Sequence, residues 1–127
     1  MAEVRRIPQW IMLESLRNAV NGMYLEKSDG TSTEDYVVVT PADFDSDTTG
    51  GDPVLRLSSE TTKTIEVGVG ETIVAILLYI DGMNAPAAYV ADGEDEIRYP
   101  IGDVDGETFP DGGSIDVTEF EVYLNDL

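Results

Sequence analysis

Between Ile7 and Tyr24, the apolar residues Trp10, Leu13, Leu16, Val20 and Met23 recur every three or four positions, the spacing that lines one face of a helix. Pro8 suits a first helical turn, where its missing N–H costs nothing, and Gly22 announces the end of the segment. Ile11 and Met12 widen the stripe. The pattern predicts a helix from Ile7 to about Tyr24, covered on more than one side.

After "EKSDGTST" the apolar period shortens. "DYVVVT" (35–40) is expected to be a buried strand. "VLRLSS" (54–59) places Val54, Leu55 and Leu57 around Arg56, and "KTIEVGV" (63–69) turns Ile65, Val67 and Val69 inward. "TIVAILLYI" (72–80) is apolar throughout and should be the central strand, covered on both faces. "AAYVAD" (87–92), "EIRYPI" (96–101) and "SIDVTEFEVYL" (114–124) complete the set.

About seven short strands separated by turn residues predict a mainly β fold, an antiparallel β-sandwich with one N-terminal amphipathic helix. Gly68 and Gly70 are expected to form a tight hairpin. In the last strand, Ile115 and Val117 have one parity and Phe120, Val122 and Leu124 the other; a β-bulge at Thr118 and Glu119 would return both sets to the core. The length suits one domain, divided here into an arm and helix (1–25), packed on its own sheet or exchanged with a neighbour, and a sandwich (26–127).

Charge sharpens that division. The chain carries 26 acids and seven bases, a formal charge of -19. Residues 1–27 hold four bases and three acids, a net of +1, leaving three bases and 23 acids, or -20, for the rest. Such self-repulsion is relieved in concentrated salt, where the Debye length falls to about 3 Å. An acid-rich, lysine-poor composition with 42% apolar residues therefore reads as a folded domain adapted to high salt rather than a disordered chain. The bland alternative is an acidic mesophilic domain.

The 127 residues include no Cys and no His, which removes disulfides, thiolate chemistry and the commonest general base and metal ligand. "MAEVRRIPQW" lacks the apolar run of a signal peptide, and the run Ile73–Ile80 is far shorter than the about 20 residues of a membrane helix. No membrane association is expected.

"PADFDSDTTGGDP" (41–53) offers Asp43, Asp45, Asp47 and Asp52 as candidate ligands for Ca2+ or Mg2+, which bind oxygen donors. Counted from Asp43, the loop departs from the EF-hand pattern, with Thr48 where glycine belongs and Val54 where the bidentate glutamate belongs. "DGEDE" (92–96) and "DVDGE" (103–107) are equally acidic, so the alternative is an acid-coated surface. Ser58, Ser59 and Ser114 have no His partner, and nothing selects a catalytic carboxylate pair. The chain is read as a non-enzyme. With only Arg56, Lys63 and Arg98 in the body, nucleic-acid binding is not expected either, and the tyrosines are read as core or sheet-face residues.

The order of a short N-terminal helix, the apolar "TIVAILLYID", the Tyr99-Pro100-Ile101-Gly102 turn region and the closing "SIDVTEFEVYL" resembles small β-rich virion proteins of tailed viruses. The acidity is similar to that of viruses of halophilic archaea. The resemblance covers residues 60–127 in general texture and carries no functional residues with it. It implies a capsid decoration or cement subunit, or a tail or neck component, forming a symmetric homo-oligomer and contacting virion proteins such as the major capsid protein. It also implies location in the virion, after assembly in the host cytoplasm.

Arg5, Arg6, Trp10, Ile11, Leu13 and Leu16 are the expected contacts, and removing residues 1–24 should leave the sandwich folded. The competing reading is a β-sandwich module that binds carbohydrate or protein through its loops. An exposed apolar patch around the helix favours assembly, whereas aromatic residues clustered at one loop end favour the module.

Overall fold

The computed structural model of the chain describes residues 2–47, 51–81, 85–91, 95–101 and 106–124. Helix α1 (Arg6–Ala19) runs directly into strand β1 (Val20–Lys27), so the helix ends well before Tyr24. Val20, Asn21 and Gly22 are weak helix formers. The segment instead pairs antiparallel with β6 (Glu71–Ile80), from Val20 opposite Ile80 to Lys27 opposite Ile73. Tertiary pairing thus decides which period Val20 and Met23 obey.

As expected, β6 is central. It has β1 on one edge, with β2 (Val37–Val38) beyond, while β7 (Glu96–Pro100) and β8 (Glu107–Phe109) share the other edge. Ala75, Ile76, Leu77 and Leu78 are all buried: Ile76 and Leu78 face the core, whereas Leu77, on the opposite face by strand alternation, lies between Tyr24 and Arg98 of the flanking strands rather than under a second layer.

Two smaller sheets complete the fold. One orders β10 (Glu121–Val122), β4 (Val54–Leu57) and β3 (Phe44–Asp47); the other pairs β5 (Lys63–Val67) with β9 (Gly113–Val117). A single core joins Met23, Leu25 and Leu78 of the large sheet to Phe44, Leu55 and Ile65 of the smaller ones. The architecture is β-sandwich-like and antiparallel, with about ten strands rather than seven, because several are only two to five residues long.

Several local expectations are corrected. "AAYVAD" is not a strand: Ala87–Ala91 forms a short helix, α2, which suits its alanines and the preceding Pro86. "DYVVVT" provides only the edge strand β2, with Val38 exposed and Val39 buried. Gly68–Gly70 is a turn but not a hairpin, since β5 and β6 do not pair with each other; the chain crosses between sheets there. Gly70 turns with φ of +76°, a conformation that favours glycine, and Val69 points to solvent rather than inward.

The parity change in the last segment is met by a switch of sheets in place of a bulge. β9 leaves β5 after Val117 and β10 joins β4 at Glu121. Val117, Phe120 and Val122 all reach the core. The boundary at residue 25 falls inside β1, and removing 1–24 would take five of the eight residues of that core strand with it, so that deletion is not expected to leave the fold intact.

Candidate functional site

The rear of α1 is anchored. Leu13 is fully buried and Leu16 packs beside it against the core, which follows from their three-residue spacing on one helical face. Arg17 donates from Nε to the carbonyls of Pro41 (3.0 Å) and Phe44 (2.9 Å) and pairs with Glu14 at 3.5 Å. Ser46 of β3 donates a hydrogen bond to Glu14.

The front of α1 is built differently. Residues 2–8 are all exposed, and Ile7 and Ile11, one turn apart, are 73% and 53% exposed, with Val4, Trp10 and Met12 open beside them. The N-cap residue Arg5 makes no side-chain cap and the first turn holds no acid. Arg5 and Arg6 therefore sit at the positive end of the helix dipole, an arrangement unfavourable by about 0.3–1 kcal/mol per charge. The one ion pair described there, Arg5 with Glu3 at 2.9 Å, is largely exposed and stabilises little. This front violates the local rules for a free helix end and exposes an apolar patch of the kind that marks contact surfaces.

Beside it lies a groove of about 690 Å³ between α1, β3 and the segment 118–121, with Trp10 at its rim and Leu57 and Phe120 among its lining residues. On its sheet side, Arg56 of β4 lies opposite Asp45 of β3 and Glu121 of β10, and Asp47 approaches Arg56 at 3.7 Å. The buried Nε of Arg56 has no hydrogen-bond partner among the described residues. Glu119 and Glu14 bring the groove to five carboxylates against two guanidiniums, those of Arg17 and Arg56. It is an acidic groove bordered by an aromatic ring.

The expected metal ligands take separate places. Asp43 closes the one-turn 3-10 helix Pro41–Asp43 in a capping box with Thr40 and pairs with Lys63 at 3.1 Å. Burial works to raise its pKa, but the Thr40 N–H and the Lys63 ammonium outweigh burial and hold it below 3.8. Asp45 and Asp47 share one face of β3, by strand alternation, on the side of Arg56. Asp52 is exposed, beyond residues 48–50, which lie outside the described residues, as do 92–94 and 103–105 of the other two acidic clusters. No group of three or more carboxylates suited to a metal is found among the described residues.

Of the expected contact residues, Arg5, Arg6, Trp10 and Ile11 are exposed, whereas Leu13 belongs to the core and is corrected to a packing residue, with Leu16 half-buried beside it.

A second surface was not singled out by sequence. On the outer face of the large sheet, Tyr24 donates a hydrogen bond to Glu96, Arg98 pairs with Glu26 at 2.6 Å, and the Tyr24 and Tyr36 rings lie 6.3 Å apart. Tyr24, Glu26, Glu96 and Arg98 also line a depression of about 240 Å³, with Leu77 beneath them. Tyr79 on the same face has its pKa raised, chiefly by the charge of Asp95 and then by desolvation. The period-two spacing of Tyr24 and Glu26 was the available signal, obscured because the segment reads first as helix.

No helix among the described residues is long and apolar enough to cross a membrane. Compared with protein-family models, with curated proteins and with solved structures, the chain matches none.

Proposed function

We propose that this chain is a structural subunit of a symmetric assembly, and specifically a virion component of the capsid decoration or cement kind, with a tail or neck position as the alternative. The observation that carries the assembly reading is the front of α1, where Ile7, Trp10 and Ile11 are exposed beside Arg5 and Arg6 on a chain of net charge -19. An apolar surface that a small chain leaves open is commonly closed by another subunit, and closed symmetry gives a small subunit a large combined interface. The virion assignment rests further on the sequence resemblance and on the acidic composition suited to concentrated salt. The role is structural rather than enzymatic.

Light scattering on the purified chain in multimolar KCl, repeated at low salt, tests the reading. A discrete oligomer in high salt is the expected result, and Ile7→Asp with Ile11→Asp should reduce it to monomer while the circular dichroism of the sheet persists. A monomer that remains folded in both salts would reject assembly. In that case the depression lined by Tyr24 and Arg98 supports the second reading, a module binding carbohydrate or protein. That reading predicts quenching of tyrosine fluorescence by added oligosaccharide, lost in Tyr24→Ala.

A further inference from the structure

We infer that the front of α1 in one copy docks in the acidic groove of a second copy, with Arg5 and Arg6 meeting the carboxylates around Asp45 and Glu119. The inference rests on the assembly reading and specifies its contact. Both halves of the contact are present on one chain. The arm presents two arginines and the apolar pair Ile7 and Ile11; the groove presents an excess of carboxylates.

Among the described residues, the two halves of this contact do not meet within one chain. Trp10 borders the groove, and Arg5 stands five residues ahead of it along the helix direction, about 7.5 Å at the helical rise. Arg6 lies one turn ahead of Trp10 on the same helical face, yet neither Arg5 nor Arg6 is among the residues that line the groove of their own chain. Both are exposed and available to the groove of another copy. Because arm and groove adjoin at Trp10, one patch carries both halves, and the contact is two-fold, each copy giving its arm to the other's groove.

The energetic roles divide in a way compatible with salt. Exposed charges are screened within about 3 Å at 1 M, whereas pairs buried at a contact are screened much less. Burial of Ile7, Ile11 and Trp10 provides affinity that does not depend on charge, while the arginines and carboxylates fix orientation and reject wrong pairings. The carboxylates would also place negative charge at a helix N-terminus that has no acid in its first turn.

The test uses the full chain in two charge-reversed forms. Form one carries Arg5→Glu and Arg6→Glu; form two carries Asp45→Arg and Glu119→Arg, with Glu119→Arg alone as a second variant because Asp45 lies opposite Arg56. Circular dichroism establishes that each is folded. Alone, each form should associate at least about ten-fold more weakly than the parent, since like charges then face each other. Mixed one to one, they should recover the parent molar mass, because each arm then meets a groove of opposite charge.

If both forms alone keep the parent oligomer, or if mixing fails to restore it, the arm-in-groove contact is overturned while assembly by another surface stands. A parent chain that is monomeric in both high and low salt would overturn the assembly reading and this contact with it.

Discussion

The Nε of Arg17 on α1 donates a 2.9 Å hydrogen bond to the carbonyl of Phe44, the first residue of β3. The same Nε reaches Pro41, so one guanidinium ties the helix to the turn that starts the second sheet. Hydrogen bonds from a charged donor contribute roughly 1.5–3 kcal/mol each, reduced here by the partial exposure of the side chain. Arg17→Ala should destabilise the fold by about 2 kcal/mol, read as a lower denaturation midpoint with an unchanged slope. Arg17→Lys should not rescue it, because a single ammonium cannot reproduce a planar donor.

Gly22 and Tyr36 form a second coupled pair. A Cβ at Gly22 would lie 2.0 Å from the Tyr36 ring, which is held over β1 by its hydroxyl bond to Asn21 at 2.8 Å. Gly22→Ala must push the ring aside, and overpacking of this kind costs about 1–3 kcal/mol. In the Tyr36→Ala background the same change should cost little. A double-mutant cycle measured by chemical denaturation reads the coupling directly, and additive effects would refute it.

Asp43 should contribute to acid sensitivity. Its folded pKa lies below 3.8, so its stabilising contribution is complete above that value and is lost as the pH falls through the lower folded value. Asp43→Asn keeps an acceptor for the Thr40 N–H and removes the charge that faces Lys63, so it should cost up to about 1 kcal/mol near neutral pH, with the difference from the parent closing as the pH falls through the folded value. A carboxyl-carbon NMR titration with a midpoint at or above 3.8 would contradict this.

Glu96 behaves in the opposite sense. Desolvation raises its pKa above 4.5, so the folded state holds the proton more tightly and stability declines as the pH rises from 4.5 through the raised value. Glu96→Gln keeps an acceptor for the Tyr24 hydroxyl and removes the titration. Its stability against pH should therefore be flatter than the parent's in that window, and an unchanged slope would assign the effect to another group.

Sequence by itself determined the broad class and the central element. The unbroken apolar run from Ile73 to Ile80 could only be a central strand or a buried helix, and the turn residues around it with short alternating neighbours chose the strand. The opposite parities of Val117 and Phe120 required a change of direction, since both are apolar and both had to be buried. Charge, too, was legible without coordinates, and set the arm apart from the body.

Tertiary structure decided the rest. Whether Val20 and Met23 continued a helix or began a strand depended on their partners Ile80 and Leu78 in β6, which no local window contains. The change of direction after Val117 became a switch from β5 to β4 because each sheet had an edge open to it. The acidic groove brings Glu14, Asp45 and Glu119 together from distant segments, and the same folding draws Asp43 away to Lys63. Spacing along a chain reports which residues share a face of one element; only packing between elements determines which faces meet, and the front of α1 is a face that the described residues leave uncovered.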